Sequence, residues 1–195
     1  MPKQEITRDD ILSLDAYIPL RPERKRAMTE LKKNRRVFIG PDATFYFESY
    51  DTMLHQVQEM LYIEQGGEAQ IEDELSAYNP LIPKGRELVA TLMFEIDEPV
   101  RRADFLAGLG GVEHTVTLAL DGEAIAAVPE EDIDRTSAEG KASSIQFLHF
   151  PFTDAQVEKF RDPECQVTLG IGHERYGHMA VLSAAVKDAL AGDFA

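Results

Sequence analysis

Cysteine occurs once in the 195 residues, at Cys165, and tryptophan not at all. A lone thiol excludes an intramolecular disulfide, a cysteine-rich zinc site and a cysteine-ligated iron–sulfur cluster. No apolar stretch approaches the roughly 18 residues that a membrane-spanning helix needs, and the polar start MPKQEITRDD does not read as a secretory signal. No glycine-rich turn of the dinucleotide or P-loop kind follows a strand, which removes nucleotide binding by those routes. Ser137, Ser143 and Ser144 have no nucleophile-elbow sequence around them, so a serine hydrolase is not expected. Internal repeats and low-complexity segments are lacking too. A cytoplasmic protein is expected, with residues 1–195 forming one globular domain that needs no staple to bury a sizeable core.

The hydrophobic fraction of 44% and the charged fraction of 28% are ordinary for a folded domain. The charge is not evenly spread. Residues 21–36, RPERKRAMTELKKNRR, hold eight Lys and Arg against Glu23 and Glu30, a local charge of +6 in a chain of net charge −15. The remainder is strongly acidic and should repel nucleic acid and anionic membranes. The basic segment Arg21 to Arg36 is therefore read as a surface for self-association or for a protein partner.

The pattern of elements begins with Thr7 and Asp10 as a cap, a short helix to about Leu14, and Pro22 as the first residue of a second helix reaching about Lys33. RRVFIG and ATFYFES flank a turn at Gly40-Pro41-Asp42. Helices are expected over about 51–64 and 68–78, the first stopped by Gly66-Gly67 and the second by Asn79-Pro80. ELVATLMFEID alternates as a strand, PVRRADFLAGLGG reads as a helix closed by glycine, and Asp121-Gly122 suits a type I′ hairpin turn. Residues 129–142 read as an acidic loop. SSIQFLHFPF is a further strand, Thr153 to Gln156 caps a short helix, and alternation through Cys165, Val167, Leu169 and Ile171 leads to the turn GHERYG, a returning strand and a last helix over about 184–192. Early helices followed by neighbouring hairpins predict an α+β fold with a helix-rich N-terminal third and a mostly antiparallel sheet carrying helices on one face.

The helix over 51–64 concentrates functional groups. Met53, Leu54, Val57, Met60 and Leu61 share an arc that should face the core, with His55, Glu59 and Tyr62 opposite and Gln56 and Gln58 beside them. Glu64 falls inside the apolar arc. If buried it would need a partner; if solvated it would merely end the helix. His55 and Glu59, four apart, can present a nitrogen and a carboxylate on one face, and His173 could join them around a divalent metal. Cys165 and His149, each within an apolar strand pattern, read as packed residues.

RRVFIGPDATFYFESYDTMLHQVQEML, followed by IEDELSAYNPLIP, ELVATLMFEI, SSIQFLHF and GHERY, resembles the bacterial domain-of-unknown-function family 3501 over nearly the whole chain. The resemblance implies no established activity. It implies a setting in redox or peroxide metabolism, since such proteins tend to be encoded beside rubrerythrin-like and iron–sulfur proteins. It also implies a polar site among Glu48, Asp51, Gln56, Gln58, Glu59, Glu95, Arg135 and His173, to which the composition of the loop and helix adds Glu64 and Tyr176. Two readings follow: a non-catalytic accessory or binding protein in a redox pathway, and a metal-dependent enzyme built on Glu48, Glu59 and Glu64. The environment of Glu64 separates them, a solvated helix end favouring the first.

Overall fold

The computed structural model describes residues 2–130 and 141–195. Arg135 lies outside them. Ile6 and Ile11 are buried on either side of a single 3-10 turn, Arg8–Asp10, in which the Asp10 carboxylate accepts from the Thr7 N–H at 2.9 Å. The expected first helix is thus only one turn. The second, α1, starts earlier than the prolines suggest: it runs Leu14–Lys33, capped by the Ser13 side chain, with Pro19 and Pro22 inside it. Each proline removes one amide donor. Tyr17, wholly buried in the first turn, anchors the helix upstream of both, so packing overrides propensity there.

The elements that follow are β1 (Arg36–Ile39), β2 (Ala43–Phe47), α2 (Tyr50–Glu64), α3 (Glu68–Tyr78), β3 (Glu87–Phe94), α4 (Pro99–Ala107), β4 (Val116–Leu120) and β5 (Glu123–Ala126). Then come the two-residue β6 (Val128–Pro129), β7 (Ile145–Pro151), α5 (Asp154–Arg161), β8 (Val167–His173), β9 (Tyr176–Val181) and α6 (Ala184–Ala191). The architecture is α+β, and every strand pair is antiparallel. The strands divide between two sheets, in the orders β1-β2-β3-β7-β6 and β5-β4-β8-β9, where the sequence pattern suggested one.

The division explains the burial of β3, whose Leu88 to Leu92 are buried without a break. One of its faces, with Phe45, Leu92 and Leu148, joins Leu118 and Leu169 of the second sheet in a common core. Its other face offers Val89 to Met53, Val57 and Leu61 of α2 and to Ile71 of α3. Helices cover one face of the first sheet, and the second sheet covers the other.

Four junctions lock these layers. The β1–β2 turn passes through Gly40 at φ +67°, where a Cβ would lie 2.7 Å from the His178 ring and 2.8 Å from the Tyr176 hydroxyl. That hydroxyl donates to the Ile39 carbonyl at 2.7 Å and accepts the Asp42 N–H at 2.9 Å, so β9 holds the turn of the other sheet. At the carboxyl end, Phe152, Phe160 and Phe194 stack edge-to-face with centroids 4.8–5.8 Å apart. Beside them Arg35 grips Asp193 with two hydrogen bonds of 2.6 and 2.9 Å, tying the last residues to the start of β1. Burial pushes the Asp193 carboxyl up, and Arg35 offsets this in part. The buried Lys187 ammonium donates to the Asp162 and Cys165 carbonyls, tying α6 to the chain that leaves α5.

Candidate functional site at the amino-terminal half of α2

Helix α2 is fixed from both sides. Ser49 caps it, and Thr52 returns the bond to the Ser49 N–H at 2.8 Å. Its apolar arc meets the sheet as expected. Its polar face meets α1 rather than solvent. Gln58, 1% exposed, accepts from the Leu12 N–H at 3.0 Å and donates to the Leu12 carbonyl at 3.1 Å, in effect adding a backbone-like link to the entry segment. The Glu59 carboxylate receives Arg21 through two bonds of 2.8 and 2.9 Å and the Tyr17 hydroxyl at 2.6 Å. Arg21 also lies 4.3 Å from the centre of the Tyr62 ring. Arg21 first, and then Tyr17, holds the Glu59 pKa down, from 4.5 to about 2, while burial works against them. Both oxygens of Glu59 are thereby engaged in docking α1.

The other candidates are dispersed. Glu48 is buried, with one oxygen accepting from Thr52 at 2.6 Å and the other from Thr91 at 2.8 Å. Glu64 is exposed and accepts from Gln70 at 2.9 Å. Glu95 binds the hydroxyls of Thr44 and Tyr46 at 2.6 and 2.7 Å on the first sheet. Gln56 sits half-buried near Tyr78. His173 ends β8 in the second sheet, where its Nδ1 accepts the Arg175 N–H at 3.2 Å, and Tyr176 is the buried clamp of the β1–β2 turn. The metal trio of His55, Glu59 and His173 is thus split between α2 and the second sheet. Among the described residues, no three His, Cys, Asp or Glu side chains are grouped to hold a metal ion.

The exposed Asp51 and the half-buried His55 are brought together with α1. They line an open groove of about 300 Å³ whose floor is Ala27, Met28, Leu31 and Leu54, with Arg24 at its edge. Burial lowers the His55 pKa; Glu59 opposes this, while Lys32, Lys25 and Arg21 add to it. Arg24, Lys25, Arg26 and Lys32 form no ion pair among the described residues, whereas Arg21 and Lys33 are taken by Glu59 and Glu30. On the other side of Asp51 a second cleft, about 480 Å³, contains Lys3, Tyr50, Arg35 and Asp193. This half of α2 therefore lies between a groove edged by Arg24 and a cleft in which Arg35 is matched by Asp193.

Sequence reasoning missed two polar constellations. Tyr17 and Arg21, four apart on α1, are a legible pair, but the prolines obscured the helix that carries them. His149 has Glu87 at 3.0 Å from Nδ1 and Glu130 at 2.8 Å from Nε2. A carboxylate on each ring nitrogen favours the form that donates from both, the imidazolium. The two carboxylates outweigh burial and raise its pKa. Only the pairing of β3, β7 and β6 brings these three together.

The family model described as protein of unknown function (DUF3501) matches residues 5–194. A crystal structure of a novel protein of unknown function from Burkholderia pseudomallei superposes with a TM-score of 0.90 at 36% identity, covering 97% of this chain and 99% of that one. No curated protein matches.

Proposed function

The chain belongs to the family of proteins of unknown function DUF3501, and for this member we propose a non-catalytic accessory role in which the basic outer face of α1 docks a partner protein. One observation carries the reading. A 20-residue helix fully buries a single residue, Tyr17, and turns Arg24, Lys25, Arg26 and Lys32 to its surroundings without an acidic partner among the described residues. Surface helices of folded proteins ordinarily bury a broad apolar stripe, and one that does not is held by pairs or by a neighbour. The solvated Glu64 and the saturated Glu59 support the same reading, since Glu59 is spent on Arg21 and Tyr17 while Glu64 ends its helix in solvent, apart from the buried Glu48. The setting we assign is a redox or peroxide-stress pathway, as the family resemblance implies.

The test is affinity capture from extract of the native cells, comparing wild-type protein with the fourfold variant R24E/K25E/R26E/K32E. A protein recovered by the first and lost with the second is the expected result. The same proteins recovered by both would remove the proposal.

A further inference from the structure

We infer that the groove between α1 and α2 receives an acidic amphipathic segment of a partner protein, seating apolar side chains on Met28, Leu31 and Leu54 while its carboxylates meet the surrounding cations. This deepens the docking proposal and rests on it. The floor of the groove is apolar and half-buried, and it lies between two helices in the manner of sites that take the hydrophobic face of a helix. Arg24 and Lys32 are eight steps apart, roughly 12 Å of helix at 1.5 Å per residue, which matches two to three turns of an incoming segment. Asp51 is the one carboxylate among the described residues that line the groove, and it sits at the amino end of α2, where the helix dipole favours it. Arg24 lines the groove with it, and Lys25 and Lys32 lie near enough to act on His55 at its side. The groove is open along its length, so a small ligand would stay largely wet, whereas a side chain presented by a folded segment would be covered by its own backbone. Charge complementarity sets the sign of the partner, and the apolar floor requires that it be amphipathic.

The probe is a labelled synthetic helical peptide with leucine on one face and glutamate on the other, followed by fluorescence anisotropy. Analogues carry glutamine or lysine in place of every glutamate. The acidic peptide should bind, the glutamine analogue should bind about tenfold more weakly, and the lysine analogue should not bind; raising salt should weaken the acidic complex. M28S/L31S and R24E/K25E/K32E should each weaken binding about tenfold, with K159E, on α5, as the unaffected control. On unsubstituted protein, the Met28 methyl resonance should shift on peptide addition, which guards against variants that fold poorly. Equal binding of all three peptides, or a Met28 resonance that does not move, would overturn the inference. A wild-type dimer in sedimentation that R24E/K25E/K32E dissolves would overturn it too, because the occupant would then be a second copy. If capture from extract depends on the α1 cations but not on Met28 and Leu31, the docking role stands and the groove does not.

Discussion

Glu59→Gln removes one charge while keeping the shape of the side chain, and its effect can be worked from the surroundings. The carboxylate is 13% exposed, paired with an arginine that is 27% exposed, and bonded to a tyrosine hydroxyl. Depression of its pKa from 4.5 to about 2 corresponds to about 3 kcal/mol. Solvent access to Arg21 reduces what a measurement should return to about 2 kcal/mol. The sign follows from linkage: a carboxylate whose pKa falls on folding stabilises the protein above its unfolded pKa and loses that contribution as pH drops through the folded one. Urea unfolding of wild type and E59Q should thus differ by about 2 kcal/mol at pH 7. The difference should hold down to about pH 5 and shrink by more than half by about pH 3, where the unfolded carboxylate is already protonated. Tyr17→Phe should give a smaller loss, about 1 kcal/mol, because Arg21 still holds the carboxylate. A loss under about 0.5 kcal/mol at pH 7, or a gap that stays constant from pH 7 to pH 3, would refute the claim that this carboxylate docks α1 as an ion.

Three further outcomes follow from the other junctions. His149→Gln should destabilise most below about pH 6.5, and the gap should narrow as pH rises through the raised folded pKa, because a group with that shift stabilises only while protonated; thermal melts from pH 5 to pH 9 decide this, and a gap that widens with pH would contradict the bridge to Glu87 and Glu130. Asp193→Ala should cost about 3–5 kcal/mol in chemical unfolding, since it strands the buried Arg35 guanidinium, and an effect below about 1 kcal/mol would show that water reaches Arg35 freely. Gly40→Ala should cost about 1–3 kcal/mol through its positive φ and the approach of the His178 ring, with His178→Ala restoring part of the loss in the double variant; additive losses would sink the contact.

Local chemistry was legible in the residues. The apolar arc of α2, the Asp121-Gly122 turn with both φ positive, the Thr153 capping box and the alternating strands β3, β7 and β8 all form where periodicity and turn residues require them, because each depends on neighbours within a few positions. The family could be seen at the same level, as an order of such segments. The start of α1 could not, because Pro22 is a strong local signal and the burial of Tyr17 that defeats it depends on α2, some 40 residues away. The partition of the strands into two sheets was equally hidden. Both faces of a strand can be apolar, and only assembly decides which face meets helices and which meets another sheet.

The candidate site divides in the same way. That α2 is rich in glutamates and amides, and that residues 21–36 carry a net positive charge, are properties of the chain itself. That Glu59 is spent on Arg21, Gln58 on Leu12 and Tyr176 on the β1–β2 turn, while Arg24, Lys25, Arg26 and Lys32 face outward unpaired among the described residues, was decided by the crossing of α1 over α2 and of β9 beside β1. A side chain's type sets what it can bond. Whether that capacity is consumed inside the fold or offered to another molecule depends on residues distant in sequence, whose approach is fixed only when the core packs.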